Sequence, residues 1–194
     1  MRTITRAALT CLAGAGVLAS VSGTAQAVPE AGGGSRPVPR VERTVEQGYA
    51  LNCSGSSGGV SVTVDLYQNS AFGSHTGVSV ETPEGEYGGG RGPVEAPLFS
   101  DGAVSADIPL RRLDDTGEPA GEAVVTGTYG AAGKPTRVHE VIEDPANHYV
   151  ITRGTNTPLT ASVTAEVLGE RVPLACSTAF AFDLTVTRVT AGRG

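Results

Sequence analysis

The chain holds 194 residues with 14 basic and 20 acidic side chains, a formal charge of −6, 27 glycines and no tryptophan. A surface of that sign disfavours nucleic acid and anionic lipid as partners. Arg111-Arg112, the one adjacent basic pair, is followed by Asp114 and Asp115 and reads as a solvated ion group. So many glycines also argue against long helices, because each interior Gly costs about 1 kcal/mol relative to Ala.

At the start, Arg2 and Arg6 precede an uncharged apolar stretch from Ala7 to Val21, then Ser22, Gly23 and Ala25-Gln26-Ala27. That order predicts a secretory signal peptide over 1–27, cut after Ala27. The apolar stretch is short for a span of about 20 residues and rich in small side chains, and no later segment is long and apolar enough to serve as a stable membrane anchor. Removing Arg2 and Arg6 leaves 12 basic against 20 acidic residues, a charge of −8 on the mature chain. Lys134 is the sole lysine, and with abundant Ala, Gly, Val and Thr this usage points to a GC-rich bacterial genome.

Residues 28–46 contain three prolines, a Gly-Gly-Gly run and few large apolar groups, which predicts a flexible Pro/Gly-rich leader. A single folded domain is expected over 47–190, with 191–194 as a tail. Within it the dominant signal is apolar alternation with period two, the mark of strands with one buried face. Val60, Val62, Val64 and Leu66 alternate with polar residues, as do Val104, Ala106, Ile108 and Leu110, and Leu159 through Val167. Phe180, Phe182, Leu184 and Val186 form the bulkiest apolar face. Weaker runs lie at 78–82, 123–129, 137–142 and 149–152. Turn-forming clusters separate them, among them Gly88-Gly89-Gly90, Asp101-Gly102 and Gly169-Glu170. The pattern predicts an all-β fold, an antiparallel β-sandwich or closed barrel of roughly 8–10 short strands.

After processing two cysteines remain, Cys53 and Cys176, and an even count in an oxidising compartment favours one disulfide. Strand parity places Cys53 on one face with Tyr49 and Leu51, and Cys176 on one face with Thr178, Phe180 and Phe182, so both thiols are expected to point inward.

For chemistry the sequence offers weak candidates. Gly55-Ser56-Ser57-Gly58-Gly59 matches G-x-S-x-G by letter, but a strand follows where a nucleophile elbow needs a helix, so Ser57 reads as a hairpin residue. Between His139 and His148, Glu140, Glu143 and Asp144 supply carboxylates. If residues 137–142 and 149–152 pair across 144–147, His139, Glu143 and His148 become candidate ligands for one metal ion. The zincin pattern fails, because position 143 is Glu and not His. His75 is expected on a loop without ligand-type neighbours, and Asp65, Asp107 and Asp183 on outward strand parity. Gly88 to Gly92 lacks the ending of a phosphate loop. Tyr67, Tyr87 and Tyr149 are the aromatic residues on which a sugar ring would stack, or which simply pack at the sheet margin.

No family motif is recognised along the chain. The reading is an exported, secreted bacterial β-protein without catalytic residues or cofactor, whose loops bind an extracellular protein or small ligand. The alternative is a small secreted hydrolase or metal-dependent enzyme using the His139–His148 segment.

Overall fold

Alternation in sequence becomes alternation in burial: Val60, Val62, Val64 and Leu66 are buried, whereas Ser61, Thr63 and Asp65 between them are exposed. The same rhythm runs through a computed structural model that describes residues 39–94, 96–144 and 148–190. The expected signal peptide 1–27, the leader as far as residue 38 and the tail 191–194 lie outside the described residues. From Arg40 onward the chain is strand, seven residues before the start expected at Gln47, because Arg40–Glu46 finds a pairing partner in the last strand.

The strands are β1 (Arg40–Ser57), β2 (Val60–Asn69), β3 (Gly73–Thr82), β4 (Gly85–Val94), β5 (Phe99–Ser100), β6 (Ala103–Arg112), β7 (Pro119–Ala131), β8 (Thr136–Asp144), β9 (His148–Val167) and β10 (Glu170–Thr190). No helix occurs among the described residues. All ten strands belong to one antiparallel sheet, and β10 pairs with both β1 and β9. The path β1-β2-β3-β4-β6-β7-β9-β10 therefore returns to its start, so the sheet closes into a ring and does not split into two facing layers. Two-residue turns make this economical. Gly58 and Gly59 both take positive φ, 58° and 85°, the combination a tight hairpin needs and a side chain resists. Ser57 ends β1 at that turn, as expected.

Inward-facing aliphatic residues fill the ring. Leu51 from β1, Leu66 from β2, Val80 from β3, Ile108 and Leu110 from β6, Val125 from β7, Ala165 from β9 and Val172 from β10 are all buried in one cluster. Each such valine, leucine or isoleucine contributes roughly 1.5–3 kcal/mol by leaving water. One mouth is closed by Leu98 and Phe99, whose backbone N–H groups both donate to Gln68 Oε1 at 2.8 and 3.1 Å. Phe99 there meets Tyr49 and Tyr129, with ring centroids 5.0 and 5.5 Å away. The glycine run 88–90 lies inside β4 and is not the expected turn. A Cβ on Gly89 would stand 1.9 Å from the Pro109 carbonyl oxygen, so glycine is what lets β4 approach β6.

Cys53 and Cys176 form the expected disulfide between paired positions of β1 and β10. The expected company of Cys176 needs correction. Asn52 pairs with Thr178 and Cys53 with Cys176, which leaves Ser177 as an extra residue on β10. Its hydroxyl donates to Asn52 Oδ1 at 2.8 Å. This bulge resets the parity, so Phe180 and Phe182 face away from the ring interior that Cys176 enters.

The bridge links residues 123 apart, for which the chain-entropy relation gives about 4–5 kcal/mol of stabilisation. Replacing Cys53 by Ser should lower the unfolding free energy by about 4 kcal/mol in a denaturant titration, and the unreduced denatured protein should show no titratable thiol from either residue. A loss below about 1 kcal/mol would show that strand pairing alone closes the ring.

Candidate functional site

Four strands run past the mouth of the ring. β2 pairs with β1 from Gly48 to Ser57, and β7 pairs with β9 from Leu159 to Glu166. Beyond those limits Arg40–Gln47, the end of β10, the start of β9 and all of β8 continue as a four-stranded ribbon in the order β1-β10-β9-β8.

The two ribbon faces differ in character. On the face continuous with the ring exterior, Phe182 and Val186 are buried together with Glu46 and Asn69. Gly48 makes this possible: a Cβ there would lie 2.7 Å from the Phe182 ring, which stacks on Tyr67 at 5.7 Å. Asn69 Nδ2 donates to Glu46 Oε2 at 3.0 Å and to the Tyr67 hydroxyl at 2.6 Å. Arg188 reaches Glu46 Oε1 at 3.6 Å and covers the Phe72 ring. Glu46 Oε1 accepts no hydrogen bond among the described residues, so Arg188 is what offsets its burial. A sequence reading that placed Glu46 in a flexible leader had no means of finding this group, since its partner lies 142 positions further on.

On the face continuous with the ring interior, paired positions form four rows. Val41, Val189, Tyr149 and Glu143 make the first; Arg43, Thr187, Ile151 and Val141 the second. Val45, Thr185, Arg153 and His139 follow, then Gln47, Asp183, Thr155 and Arg137 nearest the ring. Val41 is 62% exposed, Val45 59%, Val141 57% and Tyr149 44%. Arg43, Arg137 and Arg153 are exposed among them. Of the carboxylates on this face, Asp183 accepts from Gln47 Nε2 at 3.0 Å and Glu143 from the Tyr149 hydroxyl at 3.4 Å. A chain of net negative charge thus gathers cations and apolar surface on one sheet face.

The metal candidates do not converge. His139 pairs with Arg153, whereas His148 pairs with Asp144, five ladder rows away or about 17 Å along the strand. Glu143, opposite Tyr149, is four rows from His139, about 13 Å. The expected meeting of the two histidines fails because the ladder starts at Asp144 and His148 and each step away moves one residue along both strands, which leaves His139 five rows off. No cluster of three or more potential ligand residues occurs among the described residues. His75 lies within β3 and not on a loop, facing Tyr67 at 6.4 Å between ring centroids. Asp65, Asp107 and Asp183 are exposed; the first two keep the expected outward parity, whereas the bulge at Ser177 puts Asp183 on the face continuous with the ring interior. Asp65 accepts from Asn52 across the strands. Arg112 and Asp114 form the expected exposed ion pair at 2.9 Å. A depression of about 420 Å³ near the β9–β10 turn is lined by Glu122, Glu166, Glu170 and Arg171 among others, and a shallower one by Thr128, Tyr129 and Ser162 among others.

Two tyrosines are perturbed. Burial raises the Tyr67 hydroxyl above its ordinary value, opposed by the Asn69 hydrogen bond and assisted by the nearby Glu46 charge. Burial likewise raises Tyr129, with the Tyr49 hydroxyl adding to it. Neutral hydroxyls are favoured in the folded state, so this stabilisation is complete below the unfolded value near pH 10 and is lost as pH rises through the higher folded values.

Comparison with known proteins adds a distant likeness. No family model matches the chain, and no curated protein does. A crystal structure from Nitrosomonas europaea, described as AttH, is similar over 77% of this chain with 12% identity and a TM-score of 0.29. The match covers 52% of that protein, so the chain spans about half its length.

In a tyrosinate absorbance titration of the native protein, Tyr67 and Tyr129 should ionise above the ordinary tyrosine value. Tyr67→Phe and Tyr129→Phe should each flatten the fall of stability above pH 10; one common ionisation near 10 would contradict the burial effect. Separately, Arg188→Met should cost about 2 kcal/mol in thermal or chemical unfolding, and Glu46→Leu placed on top should recover most of it. Additive losses in the double variant would show that the two side chains do not depend on each other.

Proposed function

We propose that the chain is a non-catalytic binding protein, exported to an oxidising compartment outside the cytoplasm, which holds its partner along the inner face of the ribbon. The observation that carries the reading is the exposure of Val41, Val45, Val141 and Tyr149 amid Arg43, Arg137 and Arg153. Contiguous exposed apolar surface marks interaction sites on soluble proteins, and interleaved cations add selectivity for an acidic partner. The partner of matching chemistry is an apolar, acidic segment of an extracellular protein.

The loops, which were the expected binding elements, offer less. Among the described residues four hairpins turn in two residues each, at Gly58-Gly59, Pro83-Glu84, Asp101-Gly102 and Leu168-Gly169. Inside the ring, aliphatic side chains occupy the space a small ligand would need. Export is supported by the charged, apolar and small-residue order of positions 1–27 and by the disulfide, which persists where thiols are oxidised.

Immobilised protein should retain acidic, leucine-rich peptides over basic peptides of equal hydrophobicity, with affinity falling as salt rises. The double variant Val45→Asp, Tyr149→Asp should weaken retention about tenfold or more without altering the far-ultraviolet spectrum. Equal retention of both peptide classes, or retention indifferent to the double variant, would remove the ribbon face from consideration.

A further inference from the structure

Strand β8 is a long open edge of the sheet among the described residues. It pairs with β9 alone, over nine consecutive positions without a register shift, while its other side has no strand among the described residues. An edge of this kind presents a row of free N–H and C=O groups, and proteins usually blunt it with proline, lysine, a bulge or a covering element. Thr-Arg-Val-His-Glu-Val-Ile-Glu-Asp contains neither proline, lysine nor glycine. Two of its three apolar members are unusually open, Val141 on one face and Ile142 on the other, each at least half exposed.

The strand is also complementary to itself. Turned antiparallel about Glu140, Arg137 falls opposite the partner's Glu143, Val138 opposite the partner's Ile142, and His139 opposite the partner's Val141. The two-fold axis repeats each pairing. Directly opposed unlike charges and apolar pairs on one face are the contacts that stabilise antiparallel strands. We propose that β8 is a self-association edge, joining the four-stranded ribbons of two copies of the chain into one continuous eight-stranded ribbon through antiparallel β8–β8 pairing centred on Glu140.

A two-fold axis perpendicular to the sheet keeps each face on its own side, so the inner faces of the two ribbons lie side by side in the dimer. One juxtaposition opposes association: Glu140 meets the partner's Glu140 on the axis. It limits affinity and supplies a gain-of-function test. The inference does not depend on the binding role of the inner face, since the readout is oligomeric state alone.

The experiment is sedimentation equilibrium of the protein expressed from its full coding sequence and purified as the cell processes it. Thermal melts confirm that each variant remains folded. Wild type should dimerise with rising concentration. Arg137→Glu and Glu143→Arg, each placing like charges opposite one another twice, should weaken the dimer about tenfold, and combining them should restore it to within about threefold. Glu140→Thr should tighten it about fivefold. A protein that stays monomeric at millimolar concentration even as Glu140→Thr overturns the proposal, as do single variants without effect or a double variant as weak as the singles.

Discussion

Strand β10 has both of its edges hydrogen-bonded, to β1 on one side and to β9 on the other, and this double pairing converts a succession of hairpins into a ring. Without it, β1 and β9 would each present a long row of unsatisfied backbone groups, which solvent or another chain would have to fill. The interior depends on the same closure. Leu51, Val125 and Val172 come from strands far apart in sequence and share one cluster only when first and last strands meet. The disulfide sits on that seam, where it restricts the unfolded chain most, across more than a hundred residues. Such a topology is rich in distant contacts, which places it among the slower-folding architectures.

The single extra residue at Ser177 divides β10 into two working halves. Before it, Val172 and Leu174 project into the ring; after it, Phe182 and Val186 build a second, smaller cluster on the outside with Tyr67, Glu46 and Asn69. Anchoring that outer face leaves the inner ribbon face as the one carrying exposed valines and arginines. The contrast between the faces is therefore built by a bulge and by Gly48, which gives the Phe182 ring room to lie flat.

Much of the fold is legible in sequence because every-other-residue burial is a local rule. The runs at Val60 to Leu66, Val104 to Leu110 and Leu159 to Val167 become β2, β6 and part of β9 with the expected residues inward. The disulfide follows from the even count of cysteines beyond position 27 and from the inward parity of Cys53. What escapes the eye depends on long-range geometry. Nothing local to Cys176-Ser177-Thr178 announces a bulge, so Phe180 and Phe182 are read onto the wrong face. The glycines of β4 resemble a turn until the Pro109 carbonyl is seen beside Gly89. The histidines are a different case, because simple antiparallel pairing of β8 with β9 assigns His139 to Arg153 and His148 to Asp144. The buried acid Glu46 and the cationic ribbon face require Arg43, Arg137 and Arg153 to be gathered from three strands, which no local pattern encodes.

Because Arg40 lies directly opposite Thr190, the first and last strands begin and end at one spot, the far tip of the ribbon, roughly 25 Å of strand beyond the ring. Whatever precedes or follows is thus attached to a common stalk. A short covalent splice across those neighbouring positions would give a circular backbone, and new ends opened at Gly58-Gly59, on the opposite pole, would preserve every strand pairing.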